Sequence, residues 1–268
     1  MSKEWFTGDT PNIAYEDPLC RFAYLYCHTA ANANLCEVAI RSSPKVCRFI
    51  GTKPEKDEEL RICAFGGGPG TELLAISKHV LREKRTGHAR ISFTLLDRVP
   101  EWSETWNALE AQIIAELKST FGSFSKQPFS ICKTFVPFNM TAPGEYGNLA
   151  SLFQQDLYIM NYVISELIGD QAKFQKLLIT AAASTPKGGM FLIVDRDQDK
   201  VIQHATTLLA AAGLETSTPK KTCTNMDSDE QMNALEPYKT HIGRNPRVQW
   251  GSSRTGRGAF YLVGTKRK

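Results

Sequence analysis

The residues of this chain best suited to chemistry are a cluster of glycines and an aspartate one strand further on. In Leu60-Arg61-Ile62-Cys63-Ala64-Phe65-Gly66-Gly67-Gly68-Pro69-Gly70-Thr71-Glu72 an apolar run ends at Phe65 and a glycine-rich turn follows. Gly66, Gly67, Gly68 and Gly70 leave the backbone without Cβ atoms, free to turn tightly and to approach a ligand closely. Pro69 and Thr71 suit the start of a helix, and Glu72 falls in its first turn, where an anionic side chain is favoured. After a helix-length stretch comes a second apolar run, Ile91 to Leu96, closed by Asp97 with Arg98 beside it. An acid at the tip of a second strand accepts hydrogen bonds from ribose hydroxyls in nucleotide-binding α/β folds. Glycine turn and carboxylate together predict a site for a nucleoside-containing cofactor.

The elements that must position these residues follow from hydrophobic pattern. Further strands are predicted over Phe129–Val136, Gln155–Met160 and Met190–Asp195, the last a continuous apolar run of the kind buried on both faces. Helices are predicted around Trp106 to Leu117, around Phe174 to Ala181, and over Ile202–Ala212, where Gly213 ends the helix. Two strand-like runs, Arg247–Ser252 and Gly258–Gly264, flank Ser253–Arg257 and read as a terminal hairpin. Residues 216–245 lack periodicity and read as an insertion. The first 52 residues form a helical extension or lid, with one or two helices over Asp17–Ile40 broken near Asn32-Ala33-Asn34. Residues 60–268 make the α/β domain. Phe22, Tyr24, Tyr26 and His28 are candidates for a lid over a ligand, or for packing the extension onto that domain. Trp102 is a candidate border for an adenine, whereas core packing accounts equally well for Trp106.

Composition excludes several classes. With 268 residues, 42% hydrophobic and 22% charged, the chain has the make-up of an ordinary globular protein. The net charge of +4 permits an acidic partner without requiring one. Seven cysteines, an odd number with no Cys-x-x-Cys pair, argue against a disulfide framework. Five scattered histidines offer no zinc-ligand spacing. No leader pattern and no membrane-length apolar run are read, so a cytoplasmic or nuclear protein with reduced thiols is expected.

From Leu60 to Gly264 the chain resembles the class I S-adenosylmethionine-dependent methyltransferases. The resemblance is carried by Phe65-Gly66-Gly67-Gly68-Pro69-Gly70-Thr71 with Asp97 and by the order of the later strands. It implies a doubly wound, mostly parallel seven-stranded sheet whose last strand runs antiparallel, and S-adenosyl-L-methionine as cofactor. On that basis Gly66, Gly68 and Gly70, with Phe65 and Gly67, would line the methionine part. Asp97 with Arg98 would bind the ribose, and Asn139 or Met140 would lie against adenine. Asn161 and Tyr162 would face both sulfonium and acceptor. The family commonly has an acid two places before the first glycine; here Ala64 stands there, which leaves Glu72 as candidate partner for the methionine amine. A second, short likeness links Gly-Gly-Gly-Pro-Gly-Thr-Glu to ribosomal-RNA uridine-N3 methyltransferases.

Such a reaction needs donor and nucleophile held in line with water excluded. A base is needed only for a protonated, poorly nucleophilic acceptor. Tyr162, Glu166 and His28 are the candidate polar groups, together with Asn161. Met160-Asn161-Tyr162-Val163 is not the Asn/Asp-Pro-Pro-aromatic run of the nucleic-acid amino methylases, and no Pro-Cys nucleophile is present. Transfer to nitrogen or oxygen is therefore expected. Arg244, Arg247, Arg254 and Arg257 with Lys266-Arg267-Lys268 concentrate positive charge near the C-terminus, which favours RNA as acceptor. A small molecule or a protein side chain is the alternative acceptor. A non-catalytic sensor of the same cofactor is the alternative of another class. A nicotinamide-dependent dehydrogenase is disfavoured, because Thr71-Glu72-Leu73 follow Gly70 where that fold wants a Gly-x-Gly-x-x-Gly spacing.

Overall fold

Apolar runs bounded by turns become five parallel strands: β1 (Leu60–Phe65), β2 (Arg90–Asp97), β3 (Ser130–Pro137), β4 (Leu157–Asn161) and β5 (Met190–Arg196). The structure, a computed structural model, describes residues 14–51, 59–83, 90–121, 130–142, 150–225 and 256–267. Strand order is β3-β2-β1-β4-β5, and then β8 (Gly256–Thr265) lies antiparallel to β5. The short β6 (Glu215–Thr216) and β7 (Lys220–Asn225) both pair antiparallel with the far side of β8. Eight strands thus fill seven positions, because two segments share the outer one.

The intervening helices cover both faces of this sheet. They are α4 (Thr71–Glu83) after β1, α5 (Trp102–Phe121) after β2, α6 (Gln171–Ser184) after β4 and α7 (Asp199–Ala211) after β5. Alternation along the strands sorts the core into two layers. Ile62 and Ala64 join Leu95, Ile159 and Leu192 on one face, under Leu73, Ile76 and Trp106. Cys63 and Phe65 join Tyr158, Phe191 and Phe260 on the other, under Phe174, Leu177 and Leu208.

Three details differ from the sequence reading. The N-terminal helical stretch runs as α1 (Pro18–Tyr24) and α2 (Ala30–Ser42), followed by α3 (Pro44–Gly51), and the irregular turn is a π-helical one at Leu25–Thr29. Asn32 lies inside α2, where its carbonyl receives the Asn161 amide, 3.2 Å away. The terminal strand finds a partner in β7, within a stretch read from sequence as an insertion or long loop. Lys220–Asn225 shows no apolar alternation because it pairs at the sheet edge, where backbone bonds to β8 define it. The run Arg247–Ser252 and the rest of the insertion, 226–245, lie outside the described residues.

The N-terminal helices share the core of the α/β unit. Leu35, Cys36, Ala39 and Ile40 of α2, with Val46 and Ile50 of α3, are buried in the layer that holds Leu73 and Ile76. The Tyr261 hydroxyl of β8 donates to the Ser42 carbonyl at 2.9 Å. The Glu37 carboxylate, nearly inaccessible, meets Arg82 of α4 at 3.0 Å and Arg41 at 3.7 Å. Truncating the fully buried Leu35 to alanine should therefore cost about 2–5 kcal/mol of global stability. Urea unfolding should remain a single transition, and a separate early transition would show α2 to be an independent lid.

Candidate functional site

The turn after β1 is built by parallel register. Phe65 pairs with Leu96, so the Leu96 carbonyl receives the Gly66 and Gly67 N–H groups at 2.8 and 3.4 Å. One residue on, Asp97 locks the turn from the tip of β2. Its Oδ2 accepts from the Gly68 N–H and its Oδ1 from the Val99 N–H, each at 2.9 Å. Gly66, Gly68 and Gly70 all have positive φ (62°, 42° and 85°), which L side chains rarely adopt.

The four glycines divide by what a side chain would meet. A Cβ on Gly70 would stand 2.1 Å from the Trp106 ring, and one on Gly67 would stand 2.7 Å from Leu95. These two let the turn sink onto the core. Gly66 and Gly68 line a cavity of about 270 Å³, near the lower end of ligand pockets. A Cβ on Gly66 would stand 3.1 Å from Val163 and 3.2 Å from Met140, whereas one on Gly68 would meet nothing nearer than Trp102 at 3.7 Å.

That cavity lies at the C-terminal ends of β1 to β5, the crevice where doubly wound sheets bind ligands. The lining includes Gly66, Gly68, Asp97, Arg98, Asn139, Met140 and Glu166, so seven of the residues singled out from sequence meet in one place. The others lie elsewhere. Phe65 is fully buried against Tyr158, with ring centroids 5.4 Å apart. Glu72 and Asn161 are buried outside the lining, and Asn161 is tied to α2. Tyr162 belongs to the α2–α4 core layer; at φ 62° it is the one non-glycine residue with positive φ among the described residues. His28 stands in the π-helical turn, with its ring 5.1 Å from that of Tyr24.

Other lining residues had weak sequence signals or none. Val99, Thr141 and Ser165 follow strand ends and Arg196 closes β5, so a crevice rule applied to every strand would have found them. Tyr15 precedes the whole α/β unit and carries no such signal. Trp102 and Tyr24 line the cavity as well, with ring centroids 5.7 Å apart.

Burial dominates the electrostatics. Desolvation pushes the Asp97 carboxyl above its usual range, while the Val99 and Gly68 N–H groups pull it back. Asp195, fully buried at the end of β5, is raised chiefly by desolvation, and its oxygens accept from the Ser165 and Arg196 N–H groups at 3.0 and 2.7 Å. Glu166 is exposed as a residue. Desolvation and then Asp195 push its carboxyl up to about 7, a push that water on its open side weakens.

Glu72 is the extreme case, since burial pushes its carboxyl up to about 8. Glu72 Oε2 and Asn161 Oδ1 are buried acceptors without a donor, a need that a proton on Glu72 would meet. A carboxyl raised from 4.5 to about 8 keeps its proton in the folded state where the unfolded chain has lost it. Stability must then fall as pH rises through that window. Glu72→Gln should be stabilised relative to the parent at pH 8, by on the order of a few kcal/mol, and much less at pH 5. Urea denaturation at the two pH values measures this, and an equal difference at both would mean that Glu72 ionises normally.

No protein family matches the chain by sequence, and no curated protein does. Several solved structures are similar at a low level. The plantazolicin methyltransferase BpumL in complex with SAH has 12% identity over 99% of this chain and 94% of its own, with a TM-score of 0.45. A precorrin-6y C5,15-methyltransferase from Geobacter metallireducens has 12% identity over 80% and 84%, with a TM-score of 0.43. A SAM-dependent methyltransferase from Methanosarcina mazei has 9% identity over 84% and 98%, with a TM-score of 0.46. Similarity at this level carries no argument about chemistry, and the functional reading rests on the site.

Proposed function

We infer that this chain is an S-adenosylmethionine-dependent methyltransferase acting on nitrogen or oxygen of its acceptor. One observation carries the reading: Gly66, Gly68 and Asp97 line one cavity at the C-terminal edge of the parallel strands. The residues fit the cofactor. Asp97 uses two N–H groups to hold the turn, and a carboxylate has about four acceptor positions, so ribose hydroxyls have lone pairs to meet. Met140, Val99, Val163 and Trp102 offer apolar walls to a purine. Asn139 spends its amide oxygen on the Thr141 N–H and hydroxyl at 3.0 and 2.9 Å, which directs its amide N–H groups to a ligand.

When bound, the cofactor supplies an electrophilic methyl group on sulfur. The chain's own task is to orient the acceptor and exclude water. Ser165, Glu166, Asp170 and Arg196 line the cavity wall beyond β4 and β5, and we assign the acceptor to them. Glu166 is the candidate base among them. Asn161, Tyr162 and His28, the other candidates from sequence, lie outside the cavity lining.

RNA is the acceptor class we favour. Asn225 pairs with Gly256, and Arg196 of the cavity pairs with Ala259. These pairings put the ends of β7 and β8, Asn225 and Gly256, beyond the Arg196 end of β5. Arg244, Arg247 and Arg254 lie outside the described residues and support RNA by their charge in the sequence alone. Arg98 and Arg196 add guanidinium groups in the cavity itself. Lys266 belongs to the opposite edge, where its ammonium caps α6 at the Ala182 and Ala183 carbonyls, so it is not counted toward RNA.

Labelled S-adenosylmethionine offered with fractionated RNA, protein and metabolites tests this directly. Label is expected in RNA; label confined to small molecules would overturn the acceptor. Binding without release of S-adenosylhomocysteine from any fraction would favour the sensor. In folded Asp97→Ala, cofactor affinity should fall by about 1–3 kcal/mol, the cost of hydroxyls left without an acceptor. An unchanged dissociation constant by calorimetry would refute the ribose assignment.

A further inference from the structure

We propose that Tyr15 is a binding residue for the adenosyl group and that Arg21 is the positioning residue that holds it over the cavity. The proposal rests on the methyltransferase reading and adds to it a residue far from the strand-helix core in sequence. Tyr15 lines the cavity together with Gly68, Asp97 and Trp102. Its ring packs 5.6 Å from Trp102 and 5.7 Å from Tyr24, and these two rings are 5.7 Å from each other. Three aromatic rings in mutual contact thus close the side of the cavity next to Asp97, a wall that suits a planar heteroaromatic group.

This wall is held by a staple. Arg21 is buried, and its Nη1 donates to the carbonyls of both Tyr15 and Glu16 at 2.9 Å. Its Nη2 meets Glu104 of α5 at 3.4 Å, two residues beyond Trp102. Asp17 caps α1 through the Leu19 N–H at 2.8 Å, and its own N–H closes the turn onto Ala14 at 2.9 Å. The backbone around Tyr15 is thereby tied to the helix that carries Trp102, without Arg21 lining the cavity. Burial, and then Tyr24, Glu166 and Asp97, push the phenol well above its usual range. The hydroxyl therefore stays protonated and can donate.

The choice of the adenosyl group over the acceptor follows from the neighbours. Trp102 stands 3.7 Å from where a Gly68 side chain would begin, and Asp97 Oδ2 stands 3.8 Å from the same point. Tyr15 covers that end of the cavity.

Calorimetric titration with S-adenosylhomocysteine and with adenosine tests the proposal in the full chain. Tyr15→Ala should weaken both by roughly 10-fold or more. Tyr15→Phe, which keeps the ring, should lose less. Arg21→Ala should weaken binding as Tyr15→Ala does, and the double variant should be no worse than either single one. Circular dichroism confirms folding of each variant. Wild-type binding with an unchanged constant in Tyr15→Ala would overturn the assignment while leaving the cofactor reading intact. Additive losses in the double variant would remove Arg21 from the role. If the wild type binds neither ligand, the cofactor reading fails and this proposal with it.

Discussion

The two oxygens of Asp97 hold together the functional edge of this protein. One takes the Gly68 N–H and the other the Val99 N–H, so a single carboxylate joins the turn after β1 to the exit of β2. Both N–H groups would otherwise be buried donors beside a cavity, which is costly to leave unmet. The register of β1 on β2 puts the acid within reach, because the pairing of Phe65 with Leu96 ends one residue short of it. The same group that fixes the turn also lines the cavity.

Around that joint, packing decides which residues meet the cavity. Gly70 and Gly67 are spent on Trp106 and Leu95, which bring the turn down onto the sheet. Tyr162, at the tip of β4, takes a left-handed conformation that costs energy for an aromatic residue and puts its ring among core side chains. Its N–H still finds the Val194 carbonyl at 2.8 Å, so β4 and β5 stay paired up to the strained residue. Strain beside a ligand crevice is characteristic of functional sites.

The N-terminal helices belong to the same construction. Glu37 anchors α2 to α4 through buried charge, and Tyr261 ties the end of α2 to β8. From this base α1 and the turn before it reach the cavity, with Arg21 spanning to α5. What looks in sequence like an appendage is one wall of the pocket.

By itself the sequence determined the local elements: the five parallel strands, the glycine turn, the acid at the tip of β2 and the helices between them. These are properties of short windows, where apolar alternation, missing Cβ atoms and cap residues act over a few neighbours. Tertiary structure alone decided that Glu72 and Asn161 are sealed away and that Lys220–Asn225 is a strand. It also decided that Tyr15 and Arg196, far apart in the chain, share a cavity with Asp97. Each of those outcomes depends on which helix packs on which face and which edge pairs with β8. Such contacts form between residues far apart in the chain, and no local pattern records them.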